Sequence, residues 1–326
     1  MQNGVHMFYL YRRSDLASAL AMIALCVTLV LPQDIPASEP VAGSFGVEEI
    51  AKGAFVHLGK HVEFEHPEHD DIANSGFIIG DSCVAVIDTG GSLRTGKALL
   101  SAIRAKTTLP VCYVINTHVH FDHVLGNIAF AAEGAKFVGH EMLADEIAAN
   151  RTFFLETYGA DLGDNSGESS IIGPTLLVSE SRQIDLGNRP LTLVAHEVSH
   201  SHTDLSILDE KTRTLWLSDL LFIERIPSID GDLRKWVKLS KQLAARDVAL
   251  VVPGHGPVSS NPSAAFENQL RYLETLLTQT RARIADGMFM EDIVENVGVK
   301  EKTSWLLHEQ HHKRNVTRAF SELEWE

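Results

Sequence analysis

His118-Val119-His120-Phe121-Asp122-His123 gathers three imidazoles and a carboxylate into six consecutive residues. It follows residues 111–116, an apolar run that reads as a buried strand. Side chains of an extended segment alternate faces, so His118 and His120 point the same way and reach one ion. Where the chain turns into the next helix, Asp122 and His123 approach from another line and serve a second ion close to the first. Two imidazoles suit zinc, and a carboxylate with a third imidazole is compatible with zinc, iron or manganese. The spacing predicts a two-metal site.

Working outward, Phe77-Ile78-Ile79 and Cys83-Val84-Ala85-Val86-Ile87 are short β-rich runs, the second closed by the turn Asp88-Thr89-Gly90-Gly91. Residues 92–105 predict a helix, with Leu93, Leu99, Leu100 and Ile103 on one stripe, and residues 124–132 a further helical turn. Downstream, 191–195 and 205–208 predict strands, and 215–217 leads as a strand into Asp219. Residues 233–245 predict a helix, and 248–252 a last strand ending in Pro253-Gly254-His255-Gly256-Pro257. Strands and helices in two series, with polar residues at the strand ends, indicate an α/β architecture whose ligand site lies at strand termini. From 264 to 285, Phe266, Leu270, Leu273, Leu276 and Leu277 recur at helical spacing, so the C-terminal region is expected to be a helical extension.

A dinuclear site needs ligands from distant sequence. His200, Asp219 and His255 are the downstream candidates, each at a predicted strand end. The glycines around His255 would let an ion come close to the backbone, and a carboxylate at Asp219 can bridge two cations.

Taken together, His-x-His-x-Asp-His, a later His, an Asp after a strand and a terminal Gly-His-Gly resemble the metallo-β-lactamase superfamily, over nearly the whole mature chain. The resemblance implies a four-layer αβ/βα sandwich over residues 39–262, with residues 263–326 a helical extension packed on it. It implies that His118, His120 and His200 hold the first metal, that Asp122, His123 and His255 hold the second, and that Asp219 bridges them. Asp88 matches a family position that supports the site from behind. The same resemblance selects His200 over His202, because the family ligand stands five residues before the following strand, as His200 does before Leu205, with Ser or Thr next. His196 reads as a strand residue.

Within the superfamily, Asp71-Ile72-Ala73-Asn74, residues 83–91, Tyr113-Val114-Ile115-Asn116-Thr117-His118 and the ending Glu322-Leu323-Glu324-Trp325-Glu326 resemble the quinoprotein relay system zinc metallohydrolases, second type. The implied activity is that of an exported dinuclear zinc hydrolase. Water activated by two Zn2+ ions attacks the carbonyl of an ester, thioester, lactone or lactam, with Asp122 orienting the water as well as ligating. The implied partners are a small-molecule substrate and a quinoprotein dehydrogenase system. The largest group of true β-lactamases places a cysteine near Asp219, and this chain has none after Cys112. Two rival readings are an iron-dependent redox enzyme on the same ligands and a non-catalytic periplasmic protein that holds a quinone cofactor.

Composition narrows the remaining classes. A formal charge of -15 disfavours nucleic acid as a partner, and a hydrophobic content of 44% is ample for a large core. Residues 1–38 read as a signal peptide: Arg12-Arg13, an apolar stretch from Leu16 to Leu31, then Ile35-Pro36-Ala37. The mature protein is accordingly expected in the periplasm or secreted, without a stable membrane span. Cys83 and Cys112 then form either a disulfide or two buried thiols. His308-Glu309-Gln310-His311-His312 matches the zinc-protease pattern by chance, with too little chain after it for a protease site. His61, His66 and His69 lie in an acidic stretch that reads as a solvated turn, with a substrate-contacting flap as the alternative.

Overall fold

The computed structural model describes residues 45–164 and 167–326, so the expected signal peptide lies outside the described residues. Strand alternation builds the architecture. In β4 (Val84–Ile87), Ala85 and Ile87 enter one core while Val84 and Val86 enter another, the two-residue period of an extended chain. β4 belongs to a seven-stranded sheet with β1 (Glu48–Ala51), β2 (Ala54–His57), β3 (Ser75–Ile79), β5 (Val111–Ile115), β6 (Lys136–His140) and β7 (Leu176–Val178), arranged in chain order. Pairing is antiparallel from β1 to β4 and parallel from β4 to β7. A second, five-stranded sheet has the order β12-β11-β10-β9-β8, from β8 (Ser181–Asp185), β9 (Pro190–Ala195), β10 (Leu205–Asp209), β11 (Thr214–Phe222) and β12 (Leu250–His255). Only its β11–β12 pair is parallel.

The sheets meet face to face. Ile78, Ile87, Ile115 and Val138 of the first share a core with Leu193, Ile207, Trp216 and Val252 of the second, and each such side chain contributes about 1.5–3 kcal/mol when fully buried. Outside the first sheet, α1 (Leu93–Lys106) lays Leu99 and Ile103 on Phe77, Val86 and Val114. Outside the second, Leu243 of α4 (Leu233–Ala244) and Phe266 of α5 (Pro262–Ala285) cover Leu215, Leu217 and Val251. Helix, sheet, sheet and helix are the layers expected from the sequence. The guanidinium of Arg189 also ties the sheets together, donating to Asp209 Oδ2 at 2.6 Å and to Ile79 O at 2.8 Å.

Caps fix the helix starts. Ser92 and Thr95 form a capping box on α1, Asp232 caps α4, and Asn261 followed by Pro262 opens α5; each cap is worth about 1 kcal/mol. The short α2 (Phe121–Val124) carries the end of the histidine run, and α3 (Leu143–Tyr158) stands beside it. The C-terminal α6 (Met290–Asn296) and α7 (His308–Leu323) pack with α4 and α5 around Trp236, Tyr272, Leu276, Ile293 and Val316. Gln269 of α5 accepts the Phe222 N–H at 2.7 Å and donates to Leu220 O at 2.8 Å, locking α5 onto β11. Among the described residues no helix is long and apolar enough to cross a membrane.

Two expectations change, and a segment with no element assigned from sequence gains one. Residues 140–175 contain the 16-residue α3, whose buried Leu143, Ile147, Phe154 and Tyr158 form a helical stripe. Asp219 lies inside the nine-residue β11, not past its end. Residues 124–132 form mainly a 3-10 turn after α2.

Cys83 and Cys112 are disulfide-bonded, Cα to Cα 5.8 Å, at the starts of β4 and β5 and thus at the ends of those strands away from the histidine run. The bond closes a sequence separation of 29 residues, which restricts the unfolded chain by about 3 kcal/mol. Replacing both cysteines by serine is expected to lower the unfolding free energy by about that amount in a urea titration, with bound metal unchanged. Loss of metal in the folded double variant would show that the bond also shapes the site.

Candidate metal centre

The histidine run leaves β5 through Asn116 and Thr117, and this passage is held from several sides. Asn116 Nδ2 donates to His123 O at 3.2 Å and to Asn127 Oδ1 at 3.0 Å, while Thr89 Oγ1 donates to Asn127 Oδ1 at 2.9 Å. Leu205 N–H, from the other sheet, donates to Thr117 O at 2.8 Å. Asn74 performs the same task for the last strand, donating through Nδ2 to Pro253 O at 2.9 Å and Gly256 O at 2.8 Å.

Every residue expected as a metal ligand arrives in one place. His118, His120, His200 and Asp219 form one group and Asp122, His123 and His255 another, the ligand-capable atoms in each lying within 4.8 Å of one another. His120 Nδ1 is 2.9 Å from His118 Nε2 and 3.1 Å from His200 Nε2. Asp219 Oδ2 lies 3.4 Å from His200 Nε2 and 3.4 Å from His255 Nε2, so one carboxylate faces both groups. Its Oδ1 is 3.3 Å from His123 Nε2.

Nitrogens on the far side are already engaged. Nδ1 of His200 donates to Ser228 O at 2.8 Å, Nδ1 of His255 to Ile72 O at 2.8 Å, and Nδ1 of His123 to Asp88 Oδ2 at 2.8 Å. Each bond fixes the tautomer that leaves a lone pair on the inner Nε2. Asp88 is almost fully buried and also accepts from Thr117 N–H at 2.9 Å, Thr117 Oγ1 at 2.8 Å and Ser218 Oγ at 3.1 Å. Both Asp88 (φ 53) and Ser218 (φ 48) adopt the left-handed backbone region, a local strain that persists where surrounding contacts enforce it. The β11–β12 register shifts at Ser218, just before Asp219, as a bulge re-aims the next side chain.

The donor set fits metal ions. His123 Nε2 and Asp219 Oδ1 are buried without a hydrogen-bond partner, which is costly unless a cation completes them. Electrostatics agree. Burial pushes His118 well below the ordinary histidine range and His200 down to about 4, keeping both neutral. Burial works against ionised Asp122, but His123 and His255 outweigh it and hold the carboxyl at about 2. Burial likewise opposes a proton on His123, and Asp122, Asp219 and Asp88 overcome it, raising its pKa. A cation there supplies the same charge in place of that proton.

The family profile described as "Metallo-beta-lactamase superfamily" matches residues 70–255, from the buried Asp70 to His255 itself. This chain belongs to the metallo-β-lactamase superfamily. The hydroxyacylglutathione hydrolase of Polaromonas sp. (strain JS666) is 29% identical over 156 residues, 46% of this chain and 51% of the relative; the match thus spans about half of that protein's length. Among solved structures, a metallo-beta-lactamase from Pontibacter korlensis superposes with a TM-score of 0.57 at 19% identity, covering 70% of this chain and 98% of that one. A stereoselective inverting sec-alkylsulfatase from Pseudomonas sp. reaches a TM-score of 0.65 at 15% identity, covering 85% of this chain and 50% of its own. At these identities the structures establish the shared fold.

Among the described residues the other histidines join neither ligand group. His202 is half-exposed, 3.5 Å from Glu146, and His196 pairs with Ser206 at 2.7 Å. In the zinc-protease-like motif, His312 spends its nitrogens on Tyr272 OH at 3.1 Å and Val297 O at 2.9 Å, and Glu309 pairs with Lys302. His61, His66 and His69 join neither ligand group. Their segment is pinned rather than merely solvated, with His69 on Asp161 at 3.1 Å and Glu63 on His311 at 3.1 Å. Sequence reasoning missed Asp230, which is 3.4 Å from His120 Nε2, together with Arg225, Tyr158 and His311 of the adjoining cavity. Nothing in the local patterns of Asp230, Arg225 and Tyr158 marks them, and His311 stands out only within the protease-like chance motif; the segment between β11 and α4, α3 and α7 bring the four together.

Gly254 has no room for a side chain, since a Cβ there would stand 1.8 Å from Asp219 Oδ1. Gly254→Ala is therefore expected to displace that carboxylate and cut metal content, and Asp88→Asn to weaken metal affinity about 10–100-fold with far-ultraviolet circular dichroism retained. Full metal loading in both variants at low free metal would contradict this support scheme.

Proposed function

We propose that the chain is a dinuclear zinc hydrolase acting on the carbonyl of a small ester, thioester, lactone or lactam. The observation that carries this reading is Asp219, whose carboxylate faces both ligand groups and keeps one buried oxygen without a hydrogen-bond partner. In the proposed assignment His118, His120 and His200 hold one ion, Asp122, His123 and His255 the other, and Asp219 joins them. Bound zinc lowers the pKa of water and polarises a carbonyl oxygen.

The chain's own residues do the rest. Asp122 lines the cavity and stays ionised, so it accepts a hydrogen bond from water and orients it toward the substrate. His118, His200 and Asp219 are buried, so packing fixes their geometry before substrate arrives. A cavity of about 430 Å³ opens over Asp122, Asp219 and His255 and suits a small-molecule substrate.

The name of the Polaromonas relative supports thioesters as the first substrates to try. Export to an oxidising compartment is part of the proposal and is supported by the Cys83–Cys112 bond. A link to a quinoprotein dehydrogenase is supported by the residues that resemble the quinoprotein relay group, among them Asn74 and the ending Glu322-Leu323-Glu324-Trp325-Glu326.

The purified protein is expected to contain zinc, to lose turnover of a thioester and ester panel on chelation, and to regain it with added zinc. Asp122→Asn and His120→Ala are expected to abolish that turnover without unfolding the protein. Unchanged turnover in either variant sinks the assignment, and iron in anaerobically purified protein would favour the redox alternative.

A further inference from the structure

Beside the ligand groups, the cavity is lined by an incompletely satisfied cation and by an aromatic surface. Arg225 follows β11 in a segment zipped to the chain before α7: Leu306 N–H donates to Glu224 O at 2.8 Å and Ile226 N–H to Leu306 O at 3.2 Å. Arg225 is 7% exposed, and among the described residues its side chain makes one hydrogen bond, from Nη1 to Val62 O at 3.2 Å. Among the described residues no carboxylate lies within the 4.0 Å ion-pair distance of its guanidinium. The comparison with other arginines is direct, because Arg189 is clasped by Asp209 and Arg314, at the same cavity, is clasped by Asp230. A guanidinium offers five N–H donors in a fork that matches an oxyanion. Holding it in a buried place without an ion-pair partner is costly. Asp122, Asp219 and Glu63 act on it only at longer range, and Glu63 is taken by His311.

The aromatic surface comes from α2 and α3. Phe121 and Tyr158 stack with centroids 4.3 Å apart and planes at 8°, and Phe153 meets Tyr158 edge-on at 5.9 Å. All three line the cavity, and Phe153 is 53% exposed. An exposed phenylalanine at a cavity rim gains by being covered with a flat apolar group.

We propose that this cavity selects an aromatic or similarly flat ligand bearing an oxyanion, the anion held by Arg225 and the flat part resting on Phe121, Tyr158 and Phe153. The proposal rests on the hydrolytic reading only in calling that ligand the substrate. Carboxylate and sulfonate share the required chemistry, and the fork of Arg225 fits the planar carboxylate better.

Calorimetric titration of the metal-loaded chain with naphthalene-2-carboxylate, naphthalene-2-sulfonate, naphthalene-2-carboxamide and acetate tests it. The carboxylate is expected to bind about tenfold or more tightly than both the amide and acetate, with the sulfonate between. Arg225→Gln is expected to erase the anion-over-amide ratio and Arg225→Lys to restore part of it. Phe153→Ser, at an exposed position, is expected to weaken all three naphthalene ligands while keeping the ratio. Equal affinity for anion and amide overturns the proposal. So does an unchanged ratio in Arg225→Gln, or anion binding that vanishes when the metal is stripped from folded protein, because the anion is then a metal ligand. If Arg225→Gln does not fold, the ratio in the unaltered chain and its persistence without metal decide. Anion binding without any ester or thioester turnover removes the hydrolase reading alone; turnover without anion preference removes this proposal alone.

Discussion

The carboxylate of Asp219 sets the terms for the rest of the site. It is 3% exposed, lies 3.3–3.7 Å from nitrogens of His118, His123, His200 and His255, and retains an oxygen with no hydrogen-bond donor. Burying a carboxylate costs several kcal/mol even after relaxation, and only cations or well-aimed donors offset it. The imidazoles around it are aimed inward with their lone pairs because their outer nitrogens are spent on Asp88, Ser228 O and Ile72 O. Lone pairs around an anion are repulsive by themselves; a proton that Asp122, Asp219 and Asp88 favour on His123 offsets this in part, and positive ions between the groups would complete the offset. The fold thus stores an unfavourable arrangement that metal binding resolves.

Such an arrangement persists only if the chain cannot relax. Two non-glycine residues, Asp88 and Ser218, are held in left-handed backbone conformations next to the site, and each hydrogen-bonds with the other. Gly254 clears the space that the carboxylate occupies. Asn74 and Asn116 satisfy the carbonyls of the turns that carry His255 and His123. These are backbone devices at the ends of buried strands, where the two-sheet core prevents movement.

This division explains what could be read from the chain in advance. The grouping of the candidate ligands was legible because most sit in a short polar segment directly beside an apolar run, and the run from His118 to His123 is dense enough to point to metal by itself. The sandwich was legible because alternating strands such as Val84–Ile87 and helical stripes such as Leu99 with Ile103 announce their two faces. Asp219 was legible as a candidate ligand but misplaced in its element, because a bulge at Ser218 has no local sequence signal and lets one strand run through the site. Arg225 and Tyr158 were not legible at all. Their significance depends on which other elements reach the cavity, and local periodicity carries no information about that.

Chemistry and recognition are therefore built from different material. The candidate ligands stand at or beside strand ends, Asp219 inside β11 excepted, and carbonyls of Pro253, Gly256 and His123 around them are tied down, so a change there would disturb bound ions first. The cavity's distinguishing side chains stand on α3 and on the segment after β11, and two of them are lightly held: among the described residues Arg225 makes one side-chain hydrogen bond, and Phe153 is half in solvent. Substitution at exposed Phe153 costs the core little. A fold arranged this way can keep one metal geometry while its helices and loops choose the substrate. Under the proposed reading, what this chain accepts is decided by the partnering of Arg225 and the stacking of Tyr158, rather than by the histidines that point to its chemistry.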